Sequence, residues 1–411
     1  MNDLFNTASN NASRPNSSNT LANSLNQDNR LHEIDWLRAL AFILLIFYHI
    51  GMFYVADWQW HVKSNYQSST LQYLMLMINP WRMPLIFFVS GFSLALVAEK
   101  LRPGQLLKTR FIRLFIPLVF ASNIIIIPQP YFEAVQHYGY SDGFWVFAIE
   151  YLNPATELLP EMHHGSLGLY TWNHLWYLIY LLFYTLAFLL LKPLLNRLIK
   201  VLENNRVAPI LYLLVFALVI TFIELLLEPL YPTTHALIDD WYNHARYFLL
   251  LLSGYFVAKL PTLYHSIVTH LRYWLLAIAP MTMISLALHK TNIFIISTAI
   301  ERFIATYGLV LSALCCLFAS VALCGHYLKH SNPTLRYLNE AVLPWYILHQ
   351  TVTIVLAVFL SSFHLGGVFE SLALIITTFL VCASLYELIR RFKLTRFLFG
   401  MKLHPKQASN R

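Results

Sequence analysis

The chain has 411 residues, 58% of them hydrophobic and 12% charged, with a net charge of +8. Soluble domains carry about twice that charge density, roughly 25%, so a soluble enzyme or a disordered scaffold is excluded. Apolar runs of about 20 residues recur along the chain, long enough to cross a ~30 Å hydrocarbon core, and the basic surplus that flanks them suits anionic lipid rather than nucleic acid.

Of the first 30 residues, 14 are Asn or Ser. No basic start leads into an apolar block there, so 1–30 reads as a disordered cytoplasmic tail and not as a cleavable leader. Ten spans are expected after it, near 36–56, 71–98, 109–128, 172–192, 208–230, 244–260, 272–289, 302–325, 335–361 and 367–390. The fold class is all-α, a polytopic membrane protein of about ten transmembrane helices. Lys and Arg set the orientation. With the N-terminus inside, the inner segments collect 23 of the 28 Lys and Arg, leaving Lys63, Arg82, Arg246, Lys290 and Arg302 elsewhere. The long 129–171 segment has no Lys or Arg. Both termini are therefore expected in the cytoplasm.

The first span, "DWLRALAFILLIFYH", carries Arg38 and His49. Eleven residues of helix turn to within about 20° of whole revolutions and rise about 16 Å. Arg38 then lies near the inner surface with His49 above it near the midplane, and Asp35 sits one turn below Arg38, placed to orient its guanidinium. A snorkelling anchor accounts for Arg38 alone, and a hydrogen-bonded helix contact accounts for His49 alone. Intramembrane ionisable groups on one face also mark pathways and active sites, and the pair describes a track from the cytosol to the bilayer centre.

Span two, "NPWRMPLIFFVSGF", holds Arg82 between Pro80 and Pro84, on the outer half, where topology does not call for a cation. Its expected partners are a carboxylate such as Glu224 or Glu301, or a bound anion. Span three opens with "KTRFIRLFIP". Lys108, Arg110 and Arg113 gather at the inner surface, where topology explains them and where paired guanidiniums also suit a polyphosphate. Pro117 leaves the carbonyl of Arg113 without its helical donor. "DWQWHVKSN" and "YTWNHLWYL" put Trp58, Trp60, His61, Trp172, His174 and Trp176 at the outer surface, an aromatic belt whose faces also suit sugar rings. In "NEAVLPWYILHQ", Tyr346 and His349 share a face one turn apart. Cys315, Cys316, Cys324 and Cys382 fall in spans without a C-x-x-C pair and read as packing residues; no metal site is expected.

The ordered set "DWLRA", Arg38 with His49, "FFVSGF", "RFIR" and "WYILH" resembles the acyltransferase 3 family of integral membrane acyltransferases over nearly all of the chain after residue 31. "HIGMFYVADWQWHVKSN", "WRMPLIFFVSGF", "NHLWYL" and "RFLFGMK" are most similar to its glucans biosynthesis protein C branch. The resemblance implies a tail at 1–30, a transmembrane acyltransferase domain at 31–395 and a basic cytoplasmic tail at 396–411. It implies transfer of an acyl group, acetyl or succinyl, from cytosolic acyl-CoA to an extracytoplasmic glycan at the cytoplasmic (inner) membrane. The resemblance further implies acyl-CoA as the donor substrate, with no cofactor held permanently. His49, with Arg38 and Asp35, matches the catalytic positions; Arg110, Arg113 and Lys108 match donor binding. His349, Tyr346 and Arg82 are the substrate-side candidates, Tyr346 or His349 as donors to an oxyanion. The rival reading is a proton-coupled transporter or exporter with His49, Glu224 and His349 as relays.

Overall fold

In lipid each segment must close its own backbone hydrogen bonds, which leaves the helix as the element for every apolar run. The structure, a computed structural model, describes residues 31–163, 167–204, 208–290 and 298–403. The expected N-terminal tail and residues 404–411 lie outside these described residues. Each of the ten apolar segments is helical. They are α1 (His32–Tyr54), α2 (Ser69–Ala98), a broken third segment, α7 (Trp176–Asn204), α8 (Pro209–Leu227), α9 (Trp241–Lys259), α11 (Leu271–Lys290), α12 (Ala299–Tyr327), α13 (Pro333–Ser361) and α14 (Gly367–Ile389). No strand forms among the described residues, only an isolated bridge between Val55 and Ser68. This is an all-α polytopic membrane protein.

Among the described residues, eight helical stretches are long and apolar enough to cross a membrane, and a ninth follows if α9 is joined to α10 (Pro261–Thr269), from which it bends by 96°. The bend has local causes. The first turns of α9 carry Asn243, His244 and Arg246, and Pro261 ends its helical register. Helix α11 spans 20 residues and has Pro280 within it.

The third segment breaks into α3 (Pro103–Arg110), a π-helical turn at Phe111–Phe115, α4 (Ile116–Ile124) and α5 (Pro128–Tyr138). Pro117 has no N–H to return to Arg113, and a wider turn absorbs the loss. Such π-turns cluster at functional sites. A further short helix, α6 (Phe144–Tyr151), follows in the long connection to α7.

Helix α9 lies directly on α2. A methyl group on Gly91 would fall 1.7 Å from the Leu251 carbonyl oxygen, and one on Gly254 would fall 1.9 Å from that of Phe88. Lipid supplies no hydrophobic drive between helices, so contact of this kind rests on small residues that admit backbone to backbone. Each glycine follows a serine that meets a tyrosine hydroxyl: Ser90 with Tyr177 at 2.5 Å, Ser253 with Tyr212 at 2.9 Å.

The two described chain ends share one end of the bundle, here the terminal end. The Trp36 indole N–H donates to the His330 carbonyl at 3.2 Å, and Arg396 donates to Glu340 at 3.1 Å. Arg396, on α15 (Lys393–Leu398), is 5% exposed, so the basic segment begins by folding onto the bundle. At the far end the 55–68 loop is fastened on two sides. Ser64 donates to the buried Glu370 carboxylate at 2.9 Å, and Lys63 Nζ donates to the carbonyls of Met52, at 2.8 Å, and Val55.

Candidate active site

Three guanidiniums converge at the terminal end. Arg38 Nη2 donates to Asp35 at 3.0 Å, as the helical register requires, and to Asn339 of α13 at 2.6 Å. Arg110 lies in the electrostatic reach of Arg38 and Arg113, and Arg113 in that of Arg38. Arg113 is fixed from the other end of the sequence, its Nε donating to the Gly400 carbonyl at 3.1 Å. Gly400 has φ of 65°, and a methyl there would sit 2.6 Å from the Arg113 carbonyl oxygen. Only glycine combines that left-handed backbone with that clearance. Lys108 is exposed on α3, and no contact among the described residues ties it to the three.

Between this cluster and His49, three aromatic rings pack across the expected track. Phe42 meets Tyr346 edge-on at 5.3 Å and Tyr177 at 6.3 Å, and Tyr177 meets Tyr346 at 5.8 Å. The three rings come from α1, α7 and α13. The void left beside Phe42 measures about 10 Å³, room for about one water. Tyr177 itself lies in the electrostatic reach of Arg110 and Arg38, so these rings adjoin the guanidinium cluster.

Beyond the rings, a cavity of about 1380 Å³ is lined by side chains of α1, α2, α9 and α13 and by the segments around 167–176 and 233–239. It opens between those segments, at the far end. His49 lines it and is partly exposed, whereas His349 behind it is wholly buried. His49 Nδ1 and His349 Nε2 are 2.7 Å apart. The ring planes differ by 4° at a centroid separation of 4.9 Å. With so short a nitrogen–nitrogen approach, that separation means that the rings meet edge to edge.

The expected oxyanion donors are committed elsewhere. His349 Nδ1 lies 2.8 Å from the Tyr346 carbonyl and 3.2 Å from that of Trp345, while the Tyr346 hydroxyl donates to the backbone carbonyl of His174. His174, read from sequence as part of an aromatic belt, belongs to the site. Its ring is 5.0 Å from that of His349, and its Nε2 is 3.0 Å from the Tyr346 carbonyl. Gln129, buried at the start of α5, holds this group together. It accepts from Asn173 and Gln350, each at 3.0 Å, and donates to Thr351 at 2.7 Å. Gln129 and Asn173 gave no signal in the sequence, since each sits among turn or apolar residues whose distant partners no spacing reveals.

Arg82 lines the cavity without a carboxylate. Its Nη2 donates to Asn79 at 3.0 Å, and Tyr48 donates to the same oxygen at 3.0 Å. Neither expected partner reaches it. Glu224 acts on Arg246 instead, and Glu301 caps α12 through Thr298. Arg246 also faces the cavity, its Nη1 donating to Tyr242 at 2.7 Å.

At the mouth, Trp172 donates to the His235 carbonyl at 2.8 Å, and the His235 ring stacks on Trp176 at 4.1 Å. His61 also lines the cavity, paired with Glu133. Cys315, Cys324 and Cys382 are buried free thiols and Cys316 a partly buried one, and no three His, Cys, Asp or Glu among the described residues are placed to hold a metal ion.

A multi-pass helical bundle, with a histidine pair set between a guanidinium cluster and a wide cavity, defines a membrane protein with a polar site at its centre. The family model described as acyltransferase domain, that of acyltransferase 3, matches residues 31–387, and the chain belongs to this family. Membership supports a membrane acyltransferase. No curated protein and no solved structure matches the chain.

Proposed function

We propose that the protein transfers an acyl group, acetyl or succinyl, from cytosolic acyl-CoA to a hydroxyl of an extracytoplasmic glycan across the cytoplasmic (inner) membrane, with His49 as general base. The observation that carries this reading is the placement of His49 at the inner limit of a polar cavity, on the helix whose other end delivers Arg38 to the guanidinium cluster. The crowding of Lys and Arg at the terminal end supports its facing the cytosol. Arg38, Arg110 and Arg113 hold the phosphates of the coenzyme A head through charge-assisted bonds, with Lys108 adding charge at the rim. Asp35 and Asn339 orient Arg38. The thin thioester arm passes the Phe42–Tyr177–Tyr346 rings to reach His49.

The acceptor enters from the far end, where the Trp172 and Trp176 region suits a sugar face. His49 removes the hydroxyl proton as the oxygen attacks the thioester carbonyl carbon. The carbon–sulfur bond then breaks, and the thiolate takes the proton back from His49, so no net proton is released. Direct transfer is favoured over an acyl-enzyme because no serine or cysteine among the described residues hydrogen-bonds to the histidine pair. Arg82 supplies a cation for the distal carboxylate of a succinyl group or for an anionic acceptor. His349 and Tyr346 shape the site behind His49 rather than meeting substrate.

The test is mass spectrometry of surface and periplasmic glycans from cells with the protein, without it, and with His49→Ala. An acyl mass should appear only with the parent chain. Modification that persists in the folded His49→Ala protein would refute the base assignment.

A further inference from the structure

We propose that His349 is a positioning residue: anchored to the Tyr346 carbonyl, it fixes His49 as the Nδ1–H tautomer and leaves Nε2 as the proton-accepting nitrogen. The proposal rests on the reading of His49 as base and deepens it.

One chain of donors fixes both tautomers. The two backbone carbonyls beside His349 Nδ1, at 2.8 and 3.2 Å, can only accept, so that nitrogen carries a hydrogen. A neutral imidazole has one N–H, and the Nε2 of His349 is therefore a lone pair. The same Nε2 stands 2.7 Å from His49 Nδ1. Only a hydrogen on His49 Nδ1 makes that contact a bond between neutral rings. His49 Nε2 is then the free lone pair, on the residue that lines the cavity. The rings lie within 4° of one plane, the geometry for a hydrogen bond along the lone-pair direction.

The anchor is itself held. The Tyr346 carbonyl also accepts from His174 Nε2 at 3.0 Å, and the Tyr346 hydroxyl donates back to the His174 carbonyl. Two bonds in opposite senses thus brace α13 against the start of α7, across 172 positions of sequence. Gln129 approaches the remaining nitrogen of His174 at 3.5 Å. A buried carboxylate performs this tautomer-fixing task in many hydrolases. Here a neutral ring does so, without adding a second charge to a low-dielectric interior.

In the reaction Nε2 of His49 takes the acceptor's hydroxyl proton while the oxygen's electron pair forms the bond to the thioester carbon. The departing thiolate recovers that proton from Nε2. His349 exchanges no proton and keeps its bonds throughout.

The experiment compares His349→Phe and His349→Gln with the parent and with His49→Ala, in purified folded protein. Gln can accept from His49 Nδ1–H through its oxygen and donate to the Tyr346 carbonyl through its amide; Phe can do neither. Loss of the oriented base should lower kcat of His349→Phe by roughly 100-fold or more, the scale of general-base catalysis, with the KM for acyl-CoA unchanged. His349→Gln should recover turnover to within about tenfold of the parent. His349→Leu replaces the Phe variant if thermal melts show that the latter does not fold. Near-parental turnover in His349→Phe or His349→Leu, with His49→Ala inactive, overturns the proposal and leaves the base reading standing. Equal inactivity of folded Gln and Phe variants also overturns it, since a positioning role is then insufficient. An active His49→Ala protein removes the base reading itself.

Discussion

The guanidinium of Arg82 lies 3.6 Å above the ring of Tyr48, and both side chains donate to Asn79 Oδ1. The contact holds a cation in place from beneath and from one side while leaving it in the cavity wall. A carboxylate on the acyl group or acceptor is its natural counter-ion. Replacing it with Arg82→Gln should reduce turnover of a donor with a distal carboxylate by at least tenfold relative to acetyl-CoA, because hydrogen bonds to charged groups contribute about 1.5–3 kcal/mol. Parallel kinetics with acetyl-CoA and succinyl-CoA check this; an equal loss with both would assign Arg82 to the acceptor or to the fold.

Arg110 and Arg113 lie in a basic cluster whose geometry depends on a π-turn. If they hold coenzyme A phosphates, Arg110→Ala with Arg113→Ala should raise the KM for acyl-CoA by roughly 100-fold, since two charge-assisted bonds are lost. The thermal shift produced by coenzyme A should shrink with it. An unchanged shift returns both residues to topology.

The Phe42, Tyr177 and Tyr346 rings separate the guanidinium cluster from the cavity. Phe42→Ala removes the ring that touches both others, and water should then reach a bound thioester more readily. Acceptor-independent release of coenzyme A, followed with a thiol reagent, should rise several-fold. Hydrolysis no faster than in the parent would show that the rings do not guard the route.

Burial pushes His235 down to about 4, with Arg82 acting in the same direction and Asp240 opposing both. The neutral form is thus the one that the folded 228–240 connection favours. Its contribution is full above the ordinary value near 6.5 and is lost as pH falls toward 4, by at most about 3 kcal/mol. Because His235 stacks on Trp176, tryptophan fluorescence should report the loosening between these two pH values. His235→Gln should abolish that part of the change.

Gly254→Ala tests the α2–α9 contact. A methyl 1.9 Å from the Phe88 carbonyl oxygen must drive the helices apart, because the obstacle is backbone and cannot rotate away. The variant should lose several kcal/mol, as overpacked cores commonly lose 1–3 kcal/mol with side-chain relief still available. Detergent melts and gel-filtration profiles measure it. An unchanged melting temperature would contradict the described contact.

Membrane helices were legible in the sequence because bilayer thickness imposes a length on apolar runs, and every expected segment is helical. The Arg38–Asp35 pairing was legible because helical rotation alone sets it. The Tyr346–His349 face was legible for the same reason. What the register could not show is contact between helices far apart in sequence. His49 meets His349 across 300 positions and Arg38 meets Asn339 across 301, and no spacing encodes either pairing. His174 was hidden among tryptophans that suggest an interface belt. Phe42 was invisible as one of the three packed rings because one phenylalanine among many carries no mark of what it faces.

The tie between Arg113 and Gly400 also sets an order of events in biosynthesis. Arg113 leaves the ribosome long before its partner, 287 residues further on. Until translation has passed residue 400 and that stretch has docked, the third guanidinium lacks its backbone clamp, however completely the earlier helices have been inserted. The nascent chain therefore stays without a finished cluster while it is still being threaded into lipid, and assembly of this end is among its last acts.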